Sequence, residues 1–162
     1  MATVEKIGFG GGCHWCTEAV FQAIKGVLAV DQGWISSTGL NSDFSEAVVV
    51  DFDATQISLK TLIDIHLATH SCTSKHSMRN KYRSAVYTFS EQQAADAQEF
   101  LKQLQQQYNA PLITQILPFS DFKINTETYQ EYYLKNPDKP FCQRYIKPKL
   151  SLLETKFNHV FK

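Results

Sequence analysis

The chain has 162 residues, of which 43% are hydrophobic and 20% are charged, a composition typical of a folded globular protein and not of a disordered one. Its 16 basic and 16 acidic side chains cancel, which argues against binding of a nucleic acid or an anionic membrane through bulk charge. No basic N-terminal region leads into a long apolar run, so we expect no secretory signal and no membrane-spanning stretch. We therefore expect a single cytoplasmic domain over residues 1–162.

The first half of the chain is predicted to form three strands and two helices. Short apolar runs bounded by glycines or polar turns predict strands at residues 4–9, 27–35 and 46–52. The first helix begins at Cys13, and the second is capped by Ser58.

The second half is predicted to contribute two strands and three helices, the first of these helices opened by a capping box of Ser90 and Gln93. The connection of residues 70–81 is polar, lacks periodicity and is long, as functional loops often are. The strands are residues 85–89 and 112–117, and the helices run from 90 to about 108, from 126 to about 134 and from 146 to 161.

The order of the main elements is strand, helix, strand, strand, helix, strand, helix, strand. The second and third strands are joined by a short loop, so we expect them to pair antiparallel. This order predicts a mixed sheet with helices packed on it, a ferredoxin-like two-layer sandwich of the α/β (α+β) class.

Three glycines stand directly before Cys13, at the junction of the first strand and the first helix. Backbone amide protons and the positive end of the helix dipole gather at a helix N-terminus, and both favour a thiolate over a thiol. Because the thiolate is the nucleophilic form, Cys13 is a candidate nucleophile. The other cysteines are expected to be redox or structural thiols of a reducing compartment.

Other motifs fit this stretch less well. A dinucleotide fingerprint would need a glycine where Cys13 stands, and a phosphate loop would need Gly-Lys-Ser or Gly-Lys-Thr. Haem attachment would need a histidine in place of Thr17. The Cys-x-x-Cys redox pattern, by contrast, is met by Cys13 and Cys16.

Several blocks of the sequence together resemble the A-type peptide methionine sulfoxide reductases over nearly the whole chain. Matched blocks in order are far more specific than any one of them. The blocks are Gly11-Gly12-Cys13-His14-Trp15, Gly33-Trp34, Glu46-Ala47-Val48 with Asp51-Phe52-Asp53, Tyr82-Arg83-Ser84-Ala85, and residues 128–137 ending in Lys135-Asn136-Pro137.

The resemblance implies an α/β sandwich and a reductase of methionine S-sulfoxide, free or in proteins. It implies Cys13 as the thiolate that becomes a sulfenic acid, Glu46 as the acid and Tyr82 as a hydrogen-bond donor to the sulfoxide oxygen. Trp15 is implied as the wall that binds the methyl group, and His14 and Trp34 occupy neighbouring substrate-binding positions.

The resemblance also implies how Cys13 is regenerated. The sulfenic acid condenses with a second thiol, and thioredoxin reduces the disulfide. Cys142 lies near the register of the family's resolving cysteine and is slightly favoured, and Cys16, three residues from Cys13, is the second candidate. No cofactor and no metal are expected, and we expect a monomer.

The sequence departs from the family at four places. His14 replaces a phenylalanine, so one pocket wall becomes polar and titratable. Trp34 replaces a tyrosine, and the stretch between Trp34 and Glu46 is short and lacks a second substrate-binding tyrosine. Ser77 stands where the family has a binding aspartate. These departures are those of a divergent member.

Two alternatives remain open from the residues alone. One is a general thiol–disulfide oxidoreductase that uses Cys13 and Cys16. The other is a metal-binding module, although its ligand spacing fits the usual zinc patterns poorly. Its candidate ligands are Cys13, His14, Cys16, His70, Cys72 and His76.

Overall fold

The computed structural model describes residues 3–70, 72–74 and 81–162. Within them lie six strands and five α-helices. In chain order these are β1 Val4–Gly10, α1 His14–Gln22, β2 Val27–Ser36, β3 Ser45–Asp53, α2 Leu59–Ala68, β4 Ala85–Thr88, α3 Glu91–Leu104, β5 Gln115–Pro118, β6 Asp121–Ile124, α4 Tyr132–Lys135 and α5 Lys147–Lys156.

The strands form one mixed sheet in the order β5-β4-β1-β3-β2-β6. The β4–β5 pair is parallel and the other neighbouring pairs are antiparallel. The central order β4-β1-β3-β2 is that of the ferredoxin-like fold, which confirms the predicted class and the antiparallel pairing of β2 with β3.

The helices cover one face of this sheet. Alternate residues of a strand point to opposite faces, so Val48 and Val50 of β3 face α1 and α2 while Val49 faces away. The largest apolar cluster lies on the helical side, where Phe9 stacks on Phe21 with ring centroids 4.6 Å apart. Truncating a fully buried phenylalanine of this kind to alanine destabilises a protein by about 3–5 kcal/mol.

The predicted N-caps of α2 and α3 are confirmed. The hydroxyl of Ser58 accepts the backbone N–H of Thr61, and the hydroxyl of Ser90 accepts that of Gln93, each at 3.1 Å. The capping box differs in its second half, because the Gln93 side chain accepts the N–H of Phe89, at 2.8 Å, and not that of Ser90.

The second half differs from the prediction at helix α3 and at the sheet edge. Helix α3 ends at Leu104 and continues as a 3₁₀ turn, Gln105–Gln107. Strand β6 was not predicted, because its four residues lie at the sheet edge and only Phe122 among them is half-buried, which leaves little apolar alternation to read.

The helix predicted from residue 126 is also broken. It is replaced by a 3₁₀ turn, Glu127–Tyr129, and the short helix α4, and Glu131 between them has a positive φ of 56°. Thr126 makes no side-chain cap there. The last helix, predicted to reach residue 161, ends at Lys156, and a π-helical turn, Cys142–Ile146, precedes it. None of the described helices has the length and apolar content that crossing a bilayer requires.

Candidate active site

Cys13 occupies the N-cap position of α1, directly after β1 and the glycine turn. Gly11 in this turn has a φ of 149°, and a Cβ there would lie 2.5 Å from the ring of His70. A side chain at position 11 would therefore clash with His70 and require an unfavourable backbone conformation. The glycine turn thus lets the chain enter α1 with the half-buried Cys13 at its N-terminus.

The pKa of the Cys13 thiol is held below that of an ordinary cysteine. The largest cause is a hydrogen bond from the Cys16 thiol, and the backbone N–H groups of Trp15 and Cys16 add to it. Burial and the negative charge of Glu46 oppose this effect without reversing it. Cys13 is therefore suited to act as a thiolate nucleophile.

The two candidate resolving cysteines belong to the same apolar cluster as Cys13. The pKa of Cys16 is raised by its hydrogen bond to Cys13 and by burial, so this thiol keeps the proton that it donates. Burial also raises the pKa of Cys142, whereas Cys72 belongs to the main core. All four cysteines are thiols. The cluster that holds the first three consists of Cys13, Trp15, Cys16, Ala19, Tyr132, Tyr133, Phe141, Cys142, Ile146 and Leu150.

Glu46, near the start of β3, points to the helical face of the sheet and is almost fully buried. Its Oε1 accepts the backbone N–H of His14 at 3.2 Å, and the Nε2 atom of His14 lies 3.5 Å from the same oxygen. Its Oε2 lies 3.5 Å from the Nζ atom of Lys81. The carboxyl group is therefore fixed next to the N-terminus of α1, one residue from Cys13.

Two further predicted residues surround this carboxyl group. Trp34 pairs with Glu46 across β2 and β3, and its ring meets the edge of the His14 ring at 5.2 Å between centroids. Nδ1 of His14 donates to the carbonyl of Gly33 at 2.8 Å. Because β6 runs very close to Gly33, a Cβ at that position would lie 2.1 Å from the Lys123 carbonyl oxygen.

Trp15 lies in a stack of aromatic rings on the other side of Cys13. Its ring is parallel to that of Tyr132 at 4.0 Å and to that of Tyr129 at 5.8 Å, and Phe141 meets it edge-on at 5.4 Å. Its indole N–H is buried and has no hydrogen-bond acceptor among the described residues. The stack is a flat apolar surface of the kind that a methyl or thioether group can contact.

Glu18 was not predicted from the sequence, although it lies three residues after Trp15 on the same helical face. Its buried carboxylate accepts hydrogen bonds from the Gln32 side chain at 2.7 Å and from the backbone N–H groups of Glu131 and Tyr132 at 2.8 and 3.1 Å. These bonds explain why the 3₁₀ turn Glu127–Tyr129 does not continue into α4. The chain between the two is fixed by Glu18 of α1 and not by a cap of its own. Burial is the main reason why the pKa of Glu18 is raised.

Tyr82 is half-buried and begins a short segment held beside Glu46. Nζ of Lys81 lies 5.1 Å from the centre of the Tyr82 ring, so this ammonium group, missed by the sequence analysis, connects Tyr82 with Glu46. The buried side chain of Arg83 anchors the segment by donating to the carbonyls of Ile35 and Asp43 at 3.3 and 3.1 Å. Ser77 and His76 lie outside the described residues.

A small cavity of about 50 Å³ lies behind Cys13. The ammonium group of Lys149 reaches it from α5 and donates to the carbonyl of Thr69. Burial lowers the pKa of Lys149, while the charges of Cys16 and Cys13 oppose that shift. In the described part of the chain, no three His, Cys, Asp or Glu side chains converge as metal ligands. The cavity is lined by Gly12, Cys13, Cys16, Thr17, Val20, His66, Thr69, His70 and Lys149.

Comparison with known proteins agrees with this arrangement. A sequence profile described as "Peptide methionine sulfoxide reductase" matches residues 5–160. The chain belongs to the peptide methionine sulfoxide reductase family. The resemblance seen in the motifs is thereby confirmed. A general oxidoreductase built on Cys13 and Cys16 alone would not explain a match over the whole chain.

Three relatives illustrate the similarity. "Peptide methionine sulfoxide reductase MsrA" of Deinococcus radiodurans is 36% identical to this chain, and the match covers 94% of this chain and 82% of that protein. The structure of methionine sulfoxide reductase A of Corynebacterium diphtheriae is 26% identical with a TM-score of 0.69, covering 83% of this chain and 76% of its own. Mxr1 from Saccharomyces cerevisiae in complex with Trx2 shares the fold at 21% identity and a TM-score of 0.64, covering 80% and 84%.

Proposed function

We propose that this protein reduces methionine S-sulfoxide, free or in proteins, to methionine through a sulfenic acid on Cys13. The observation that carries the proposal is the position of Cys13. It occupies the N-cap position of α1, the neighbouring Cys16 thiol lowers its pKa, and it is followed by a residue whose N–H binds the Glu46 carboxyl group. A nucleophile and an acid are thus held together at one helix end.

The reaction balances with these groups. The Cys13 thiolate attacks the sulfoxide sulfur while Glu46 gives a proton to the sulfoxide oxygen and Tyr82 donates a hydrogen bond to it. This attack forms a transient S–S bond between Cys13 and the substrate. The protonated oxygen then passes to the Cys13 sulfur as the substrate S–O bond and the transient S–S bond break, which leaves Cys13 as a sulfenic acid. The Cys13 sulfur loses two electrons, and the substrate sulfur gains them and leaves as methionine.

Aromatic side chains form the binding side of the site. Trp15 contacts the S-methyl group, supported from behind by Tyr132. His14 and Trp34, whose rings meet edge to face, line the side next to Glu46. An apolar surface beside a buried acid favours a sulfoxide, which combines a methyl group with a basic oxygen.

Regeneration proceeds through a disulfide to Cys142 or Cys16, which thioredoxin then reduces. Both thiols belong to the same apolar cluster as Cys13, which supports either of them as the partner of the sulfenic acid. The fold shared with Mxr1 in complex with Trx2 supports a thioredoxin partner. We further propose that the protein is a cytoplasmic monomer, because four cysteines in 162 residues do not resemble the disulfide framework of a small secreted domain.

The assay that tests this function offers the protein methionine S-sulfoxide with dithiothreitol and follows methionine by chromatography. The R epimer and an insulin disulfide are the comparison substrates. We expect methionine from the S epimer and little turnover of the other two. Efficient insulin reduction without sulfoxide reduction would instead support a general thiol–disulfide oxidoreductase.

A further inference from the structure

The His14 ring is held in one orientation by the backbone of β2. Nδ1 lies 2.8 Å from the Gly33 carbonyl oxygen, and a carbonyl group can only accept a hydrogen bond. Nδ1 therefore carries a hydrogen whenever this bond is made. It follows that Nε2 carries a hydrogen only when the ring is the doubly protonated imidazolium.

Nε2 of this ring faces the carboxyl group of Glu46. The two side chains are 6% and 8% exposed, and Nε2 lies 3.5 Å from Oε1. A neutral ring and an ionised carboxylate would oppose two lone pairs here, away from water. One proton between the imidazole ring and the carboxyl group removes this conflict.

Other charged groups act on this pair from two elements. Lys81, on the segment before β4, lies 3.5 Å from Oε2 of Glu46, and the Cys13 thiolate interacts with the same carboxyl group from the start of α1. The rings of Trp34 and Trp15 cover the imidazole at 5.2 and 6.3 Å. The two oxygens of Glu46 thus have separate partners, Oε1 with His14 and Oε2 with Lys81.

We propose that His14 is a positioning residue that shares one proton with Glu46 and holds this carboxyl group ready to protonate the sulfoxide oxygen; the proposal rests on the function proposed above. When Glu46 gives up the proton, the proton moves to the sulfoxide oxygen and ends on the sulfenic acid of Cys13. The pair takes one proton from solvent before the next turnover. His14 thus acts through Glu46, in addition to lining the site.

Other family members have a phenylalanine at this position, and an apolar ring suits the methyl group of the substrate. On that ground alone, His14→Phe would be expected to raise the activity. The hydrogen bond of the His14 ring to the Gly33 carbonyl and its contact with Glu46 reverse that expectation. A phenylalanine would leave the Gly33 carbonyl without its donor and Oε1 without its proton partner. We therefore expect His14→Phe to lower the rate of the first turnover.

A double-mutant cycle tests the proposal with His14→Asn, because asparagine can donate to the Gly33 carbonyl but lacks the second nitrogen. We expect this variant to lower the single-turnover rate roughly 100-fold. The double variant with Glu46→Gln should be no slower than Glu46→Gln alone. If the rate losses of the two single variants instead multiply in the double variant, His14 acts independently of Glu46, and the proposal is overturned. His159→Asn, at an exposed position, is the matched control.

The pH dependence separates this role from a merely structural one. A carboxyl group without its partner takes its proton from solvent more readily as the pH falls. The rate ratio of wild type to His14→Asn should therefore shrink toward acid pH. A ratio that stays constant across the pH range would contradict a shared proton.

A spectroscopic measurement tests the pair without relying on activity. Nitrogen-15 NMR of the His14 ring should show a hydrogen on Nδ1 in both its neutral and its charged form. A neutral ring protonated on Nε2 would overturn the proposal. If Glu46→Gln reduces sulfoxide as fast as wild type while the NMR result is as expected, the pair exists and the catalytic role of Glu46 fails.

Discussion

The carboxylate of Glu18 accepts the backbone N–H of Tyr132 at 3.1 Å, and the Tyr132 ring lies parallel to that of Trp15 at 4.0 Å. A buried acid on α1 thus fixes the chain segment that supports the aromatic wall of the site. Oε2 of the same carboxylate accepts from the N–H of Glu131. The arrangement connects helix α1, which begins directly after Cys13, to the C-terminal third of the chain.

Replacing Glu18 by glutamine should loosen this connection. An amide NH₂ in place of Oε2 would face the N–H of Glu131, donor against donor, which destabilises the fold by about 1–3 kcal/mol. We also expect a raised KM with a smaller change in kcat, because Trp15 loses its support. Denaturant unfolding and steady-state kinetics measure both effects. Glu154→Gln, on the exposed side of α5, is the control, and equal stability of the two variants would contradict the assignment.

Cys16 should control the ionisation of Cys13. Its thiol is the largest cause of the lowered pKa of Cys13, so Cys16→Ala should raise that pKa. Only the thiolate is alkylated, so the alkylation rate rises with pH as Cys13 ionises. In the variant, this rise should occur at a higher pH than in wild type. Iodoacetamide kinetics on the reduced protein measure this. Cys72→Ala is the reference variant. If the pH dependence of alkylation is the same in Cys16→Ala as in this reference, the helix N-terminus alone lowers the pKa of Cys13.

Glu46→Gln should slow the first turnover far more than it weakens binding. The amide keeps the shape of the side chain but cannot deliver a proton, a contribution typically worth about 100- to 10,000-fold in rate. Rapid-quench measurement of one turnover separates this from substrate binding. Glu5→Gln, at an exposed position on β1, should behave as wild type. If the first turnover is as fast in Glu46→Gln, the acid lies elsewhere.

The resolving cysteine can be identified by mass spectrometry after one equivalent of substrate without reductant. The register of the family favours a Cys13–Cys142 disulfide, and the hydrogen bond between the thiols makes Cys13–Cys16 the alternative. A Cys13–Cys16 peptide as the sole product would rule out Cys142 as the direct partner. If no disulfide forms, an external thiol must attack the sulfenic acid itself.

Local signals accounted for most of the fold that was predicted correctly. The glycine turn and the apolar spacing after Cys13 lie within a few residues, so the strand–turn–helix junction could be predicted. The edge strand β6 could not, because its pairing with β2 depends on a partner far away in the sequence. The same is true of the Glu18 bonds, which join residues more than a hundred positions apart.

The site was predictable only in part for the same reason. The motifs named Glu46 and His14 separately, and each has an ordinary local explanation. Their contact depends on the antiparallel register of β1 and β3, which pairs Gly10 with Ala47 and so brings residue 46 to the start of α1. The sequence holds no local signal for the contact between Glu46 and His14. This contact changes the role expected for His14.

The most direct test of the central claim is to count methionine released by the reduced protein, mixed with excess methionine S-sulfoxide and no reductant, for wild type and Cys13→Ser. A serine hydroxyl is a far poorer nucleophile at neutral pH, and the substitution should leave the fold intact. We expect about one methionine per wild-type chain, with Cys13 oxidised to a sulfenic acid or a disulfide, and none from the variant. Release of methionine by Cys13→Ser at more than a few per cent of the wild-type amount would contradict the assignment of Cys13 as the nucleophile.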